Sequence, residues 1–274
     1  MKNIFENEWK YIASLLAEIE PEVLKIYNHD FKVDYKEDNE GPVTEADRLV
    51  NDFFREKIAK KFPHDGIISE ETPDHSVLKN ERVWIIDPID GTKEFVKRNG
   101  EFSIMVGMAI GGNAEMGIVS WPIENIVFFG AKDWGCFCKK KGQLNKLECR
   151  RDEKYPFSSW TIAVSRSHHS KTVDKIIKHM NISKKLASGS IGLKLSKICT
   201  KEADIYIDAG SKTKEWDLCA PQALLHAAGG MVTDLYGKKY SFNRKCRKNE
   251  RGVIATSGAE HEKVIQLIKE VLSL

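Results

Sequence analysis

A chain of 274 residues is long enough to bury a large core, as one sizeable domain or as two closely packed halves. With 41% hydrophobic and 30% charged residues, its composition excludes a disordered class, and a formal net charge of +3 is too small to imply nucleic-acid binding by itself. No run approaches the length of a membrane span, and Met1 to Glu20 carries acids without an unbroken apolar core, so no secretory signal is read there.

Phe5, Trp9, Ile12, Leu15, Leu16 and Ile19 recur at helical spacing, which predicts an opening amphipathic helix able to run past Pro21. Residues 31 to 35 alternate like a short strand, and a polar stretch from Lys36 to Gly41 follows. Thr44, with Asp47 three residues on, has the form of a capping box for a helix over 45–62. Asp47 can be a cap, a site residue, or both, because a helix N-terminus is a natural place for site residues. Ile67-Ile68 is a short apolar strand ending in Ser69-Glu70-Glu71, and residues 72 to 81 read as polar loop.

Residues 83 to 95, Val83-Trp84-Ile85-Ile86-Asp87-Pro88-Ile89-Asp90-Gly91-Thr92-Lys93-Glu94-Phe95, organise the rest. The apolar run predicts a buried strand that breaks at Pro88, with Asp87 and Asp90 at its C-terminal end. Two acids there are costly to desolvate unless a cation compensates. Hard oxygen ligands at this spacing suit Mg²⁺, which is usually held by a few carboxylates, waters and substrate phosphate. Gly91 lets the backbone approach a phosphate where Gly91-Thr92 turns into a helix. Taken alone, Asp-x-x-Asp reads first as an Asp-Pro turn with a helix N-cap, and it is the full string that points to a metal.

Residues 103–110, 114–120, 126–131 and 135–138 then read as successive strands, with Gly111-Gly112-Asn113 as the first turn, predicting an antiparallel meander. The charged stretch 150–159 is the candidate boundary, giving halves 1–157 and 158–274 within one continuous catalytic unit. Beyond it, strands (161–164, 184–187, 203–207, 230–233, 252–256) alternate with helices (171–180, 191–200, 217–228, 260–272), implying an α/β layer.

Three elements of this half are candidate site elements. Ser165-Arg166-Ser167-His168 lies between a strand and a helix, as phosphate contacts or as an ordinary cap. Gly189-Ser190-Ile191-Gly192-Leu193-Lys194 offers small residues and a charge to an anion. Asp217, in Glu215-Trp216-Asp217, is an N-terminal helix acid or a fourth carboxylate of a metal cluster. The six cysteines show no C-x-x-C spacing and read as free, mostly buried thiols in a reducing compartment, so a cytoplasmic location is expected. The basic runs 139–141 and 244–248 read as solvated loops.

Asp87 to Thr92 resembles the D-P-[IL]-D-G-T signature of the inositol monophosphatase superfamily. Thr44 to Asp47 is similar to its T-x-A-D, Ser69-Glu70-Glu71 to its S-E-E, and Trp216-Asp217 with Ala227-Ala228-Gly229-Gly230 to its second signature. Residues 91–95 (GTKEF) and 98–102 (RNGEF) resemble the CysQ branch, the 3'(2'),5'-bisphosphate nucleotidases. The resemblance implies a layered α-β-α-β-α sugar-phosphatase fold and a lithium-sensitive, Mg²⁺-dependent hydrolase of sulfur metabolism. Carried over, Glu70, Asp87 and the Ile89 carbonyl hold one Mg²⁺, and Asp87, Asp90 and Asp217 a second. Glu70 shares a third ion, and Asp47 with Thr92 activates the attacking water. Two ions about 3.5–4 Å apart can stabilise both oxygens of an in-line displacement. Ser190 and Lys194, with Arg166 and His168 nearby, are implied to hold the 5'-phosphate side, and Gly192 stands where other members carry a hydroxyl.

The implied substrate is adenosine 3',5'-bisphosphate (PAP), with its sulfated form PAPS, a small phosphorylated nucleotide and not a nucleic acid. The alternative within the superfamily is inositol 1-phosphate or fructose 1,6-bisphosphate. A third hypothesis, a non-catalytic nucleotide sensor, calls for loss of a ligand or of the Asp47–Thr92 pair, and neither is lost. The sequence leaves open a homodimer and a peripheral membrane attachment.

Overall fold

The computed structural model describes residues 4–36, 41–150, 156–167 and 170–274. The meander is a seven-stranded sheet in the order β3 (Gly66–Ser69), β4 (Arg82–Asp90), β5 (Ser103–Ile110), β6 (Asn113–Trp121), β7 (Ile126–Ala131), β8 (Gly135–Lys140), β9 (Gln143–Leu147). Every pair is antiparallel except β3 with β4. A second sheet of five strands runs β11 (Lys184–Ser188), β10 (Thr161–Ser165), β12 (Ile205–Asp208), β14 (Val253–Thr256), β13 (Met231–Thr233). A two-stranded ribbon, β1 (Val33–Tyr35) with β2 (Pro42–Thr44), stands apart from both.

Three helical layers enclose the two sheets. On one face of the large sheet, α1 (Glu6–Asn28) and α2 (Glu45–Lys61) bury Ile12, Leu16, Val50, Phe54 and Ile58 with Trp84, Ile86, Ile104 and Val106. The other face of β4 and β5, with Val83, Ile85 and Met105, joins a core with α5 (Ile191–Cys199) and α6 (Glu215–Ala227). That middle core continues through Ala163, Tyr206, Val253 and Ala255 into the small sheet. On its far side lie α4 (Lys171–His179) and α7 (His261–Leu272), packed on Ile162, Ile205, Ile207 and Ile254. The order is therefore α-β-α-β-α. Burial on both faces explains why β4 reads as an unbroken apolar run.

Close approach of α6 to the large sheet depends on two glycines. A Cβ on Gly117 would lie 2.1 Å from the Ala220 carbonyl oxygen, and one on Gly107 would lie 2.7 Å from the Cys219 sulfur. The small residues Ala220 and Ala223 on the helix complete the fit.

Several expectations need correction. The strand does not break at Pro88 but runs to Asp90, with a register shift against β5: Asp87 faces Met105, and Asp90 faces Ser103. Pro88 donates no backbone N–H, and a bulge is where a strand tolerates that loss. Strand β9 and the short β2 carry no pattern that predicts them; β9 is an exposed edge with no apolar alternation to mark it. Helix α6 begins two residues earlier than expected, at Glu215. The basic run 244–248 is not a solvated loop throughout, because Arg247 is buried against Glu215. All six cysteines are free thiols and only Cys246 is exposed.

Candidate active site

Strands β3 and β4 run parallel, Ser69 opposite Ile86, and the Glu70 amide donates to the Ile86 carbonyl at 3.2 Å. Glu70, just past the end of β3, and Asp87, within β4, thus lie side by side. The bulge after Asp87 keeps Asp90 at the same end of the strand, and the N-terminus of α6 brings Asp217 over from the other half. Asp87, Asp90 and Asp217 each present an oxygen within 4.8 Å of the others. One oxygen of Asp87, 1% exposed, has no hydrogen-bond partner.

Burial, then repulsion from Glu70, Asp90 and Asp217, holds the Asp87 carboxyl well above the usual carboxylate range. Burial, then Glu70 and Asp90, does the same to Asp217. Asp90 is raised by burial too, but less freely, since Lys194, the Ser190 hydroxyl and the Gly192 amide all favour its charged form. Buried carboxylates so close together, one with an orphaned oxygen, fit a hard divalent cation such as Mg²⁺.

Asp47 is the third residue of α2, whose capping box with Thr44 forms as the spacing predicts. One Asp47 oxygen accepts from the Thr44 amide at 2.8 Å and the Thr44 hydroxyl at 2.5 Å. The other faces the Thr92 hydroxyl at 3.2 Å, which also has the Ile89 carbonyl within 3.1 Å. Burial pushes the Asp47 carboxyl up to about 7, against the lowering effect of the Thr44 bonds. Asp47 is thus both cap and neighbour of the acid cluster.

Gly91 takes a left-handed conformation, φ 95°, at the entry to the short helix α3 (Thr92–Val96), and a Cβ there would lie 3.0 Å from the Glu101 carbonyl. Ser190 turns inward. Its hydroxyl donates to Asp90 and lies 2.8 Å from the Ser103 hydroxyl, and the Gly192 amide donates to Asp90 at 2.7 Å. Lys194 is buried, donates to the Gly189 carbonyl, and sits over the Tyr206 ring. Burial pulls its ammonium down while Asp90 pulls it up. Arg166 is half-exposed in a two-pronged pair with Glu101, at 2.5 and 2.7 Å. His168 lies outside the described residues, as do residues 151–155 of the boundary stretch.

Sequence reasoning missed Lys36. Its ammonium donates to Glu70 at 2.7 Å and to Glu71 at 2.6 Å; burial alone would lower its pKa, but the two glutamates hold it above its ordinary value. Nothing in a polar stretch 34 residues upstream marks such a partner.

A model of the inositol monophosphatase family matches residues 7–273. The 3'(2'),5'-bisphosphate nucleotidase CysQ of Aggregatibacter actinomycetemcomitans is 31% identical over 226 residues, covering 80% of this chain and 81% of the relative. Among solved structures, an IMPase of Thermotoga maritima superposes with a TM-score of 0.81 at 24% identity, over 97% of this chain and 98% of its own. An IMPase/NADP phosphatase solved with Mg²⁺ and phosphate gives 0.80 at 19% identity, over 97% and 96%. Among the described residues no helix is long and apolar enough to cross a membrane.

Proposed function

The chain belongs to the inositol monophosphatase family, and from that premise we propose that it is a Mg²⁺-dependent phosphomonoesterase acting on bisphosphate nucleotides. The reaction we assign is hydrolysis of the 3'-phosphate of PAP to AMP and phosphate, and the same step on PAPS. The observation that carries this reading is the cluster of buried Asp87 and Asp90 with half-buried Asp217, sharing one locus with an orphaned Asp87 oxygen. Glu70, Asp87 and the Ile89 carbonyl would hold one ion, Asp87, Asp90 and Asp217 another, with Glu70 sharing a third. Bound Mg²⁺ would neutralise the phosphate dianion and stabilise the attacking and leaving oxygens.

The chain's own residues supply the proton chemistry. Thr92 donates its hydroxyl hydrogen to Asp47 and keeps oxygen lone pairs free to accept from water. Asp47, with a carboxyl near 7 before any cation binds, can take the proton that a water loses as it attacks phosphorus. The displaced 3'-oxygen leaves with a proton from solvent. No cysteine or histidine nucleophile is required, and five of the six thiols are buried.

Ser190 and Lys194 would set the floor of the nucleotide site from beneath, and Gly91 its wall. Arg166 would reach a second phosphate only by loosening from Glu101. A second reading, inositol 1-phosphate, is favoured by the names of the two superposed structures. One panel separates them: PAP, inositol 1-phosphate and fructose 1,6-bisphosphate assayed side by side, with and without Mg²⁺ and Li⁺. PAP hydrolysed at the highest kcat/KM, only with Mg²⁺, supports the nucleotidase; a clear preference for inositol 1-phosphate overturns it.

A further inference from the structure

Asp217 is the member of the acid cluster that comes from the second half, so its distance from Asp87 and Asp90 depends on what holds the start of α6. Two residues earlier, Glu215 is fully buried, yet accepts four hydrogen bonds, all from one loop. Its Oε1 accepts from the Arg244 amide at 2.8 Å and Arg244 Nε at 3.0 Å. Its Oε2 accepts from the Asn243 amide at 3.2 Å and Arg247 Nη1 at 3.0 Å.

The same loop grips the first half. Asn243 Nδ2 donates to the carbonyls of Val77 (2.9 Å) and Asn80 (3.2 Å), and Arg247 Nη2 donates to the Asp74 carbonyl at 2.9 Å. These carbonyls belong to the segment leading from Glu70 and Glu71 back into β4, which carries Asp87 and Asp90. The loop closes on the second half through Asn249, whose amide donates to Thr213 and whose side chain donates to the Lys214 carbonyl. Lys214 in turn gives its amide to Asp217.

We propose that loop 243–249, locked by Glu215, is a clamp whose Asn243 and Arg247 are positioning residues. They set the spacing between Asp217 and the acids of the first half, and thereby the affinity of the site for a divalent cation. The inference rests on reading Asp87, Asp90 and Asp217 as a metal centre. A buried carboxylate facing two guanidinium groups is an expensive way to attach a loop, since desolvation offsets most of the attraction. What such a network supplies well is a single geometry. Clustered carboxylates repel one another, so without a restraint the helix start would recede from β4 and the ligand spacing would widen.

The test uses the full-length chain stripped with EDTA, with Mg²⁺ and Mn²⁺ binding followed by titration calorimetry. Wild type is compared with Asn243→Ala, which cuts the bonds to Val77 and Asn80 and a long one (3.4 Å) accepted from Arg247 Nη1 but leaves both ion pairs, and with Arg247→Lys. Both variants are expected to bind the cations about 10–100-fold more weakly, the range seen when partners behind metal ligands are removed. The KM for substrate at saturating Mg²⁺ should stay within about twofold. Asn243 sits in the left-handed region at φ 61°, which Ala tolerates less well, so Asn243→Ala should melt in EDTA below wild type by only a few degrees. Should Arg247→Lys fail to fold, Asn243→Ala decides alone. Unchanged cation affinity in a folded Asn243→Ala, or a fall in melting temperature without a fall in affinity, overturns the clamp. Wild type that binds no divalent cation overturns the metal centre itself, a distinct result.

Discussion

Asp47 accepts hydrogen bonds from both the amide and the hydroxyl of Thr44, yet burial still pushes its carboxyl up to about 7. Replacing it tests the assigned proton acceptor: Asp47→Asn should lower kcat by about 10²–10⁴-fold at saturating Mg²⁺, with the far-UV spectrum unchanged. Equal kcat in that variant removes Asp47 from the chemistry. The same titration has a consequence for stability. A carboxyl raised in the fold is protonated there while the unfolded chain has already lost its proton. From Asp47 alone, the metal-free protein should therefore lose stability as pH climbs from about 4 to about 7. Asp87, Asp90 and Asp217 are shifted in the same direction and add to the slope. Melting in EDTA between pH 5 and pH 7.5 should show the fall, and Mg²⁺ should cancel most of it at pH 7.5. A flat profile in EDTA would mean that Lys36 and Lys194 already neutralise the cluster.

At the scale of elements, glycines decide how near the helices come. Gly192, which the family resemblance implies replaces a hydroxyl, sits where a Cβ would lie 2.5 Å from the Met105 sulfur and 2.9 Å from the Ser103 hydroxyl. It is there to let α5 pack against β5. Gly192→Ser is accordingly expected to cost about 1–3 kcal/mol by overpacking and to leave the KM for PAP no lower. Urea unfolding and initial rates measure both. Gly117→Ala, with its Cβ aimed at the Ala220 carbonyl, should be worse on both counts, because moving α6 also moves Asp217. A Gly117→Ala protein with wild-type stability and kcat would show that α6 can shift without disturbing the cluster. Strands β5 and β7 are legible in the sequence to their ends, whereas the periodicity that announces α1 is read only to Ile19 and the helix continues through Pro21 to Asn28. The run of β4 through Pro88 is not legible either, since a bulge depends on the partner strand β5, which tolerates the missing donor.

Across the whole molecule, the middle helical layer belongs to the second half but buries itself against both sheets. Chains 1–157 and 158–274 expressed separately should each fail to bind Mg²⁺, and a mixture that binds it as tightly as the intact chain would show that the halves assemble on their own. The chain alone spells out a meander followed by alternating strands and helices, the cap at Thr44–Asp47, and three motifs that bring carboxylates to the ends of elements. Those features are local: periodicity, capping and turn chemistry act over a few residues, so the chain spells them out. It takes the assembled fold to show that Lys36 faces Glu70, that Glu101 occupies Arg166, that Ser190 donates to Asp90 while the buried Lys194 ammonium acts on the same carboxylate through its charge, and that Glu215 is gripped from residues 243–247. Each of those pairs joins residues 28 or more positions apart. A charge says nothing about its partner until burial strips away the water that would otherwise satisfy it.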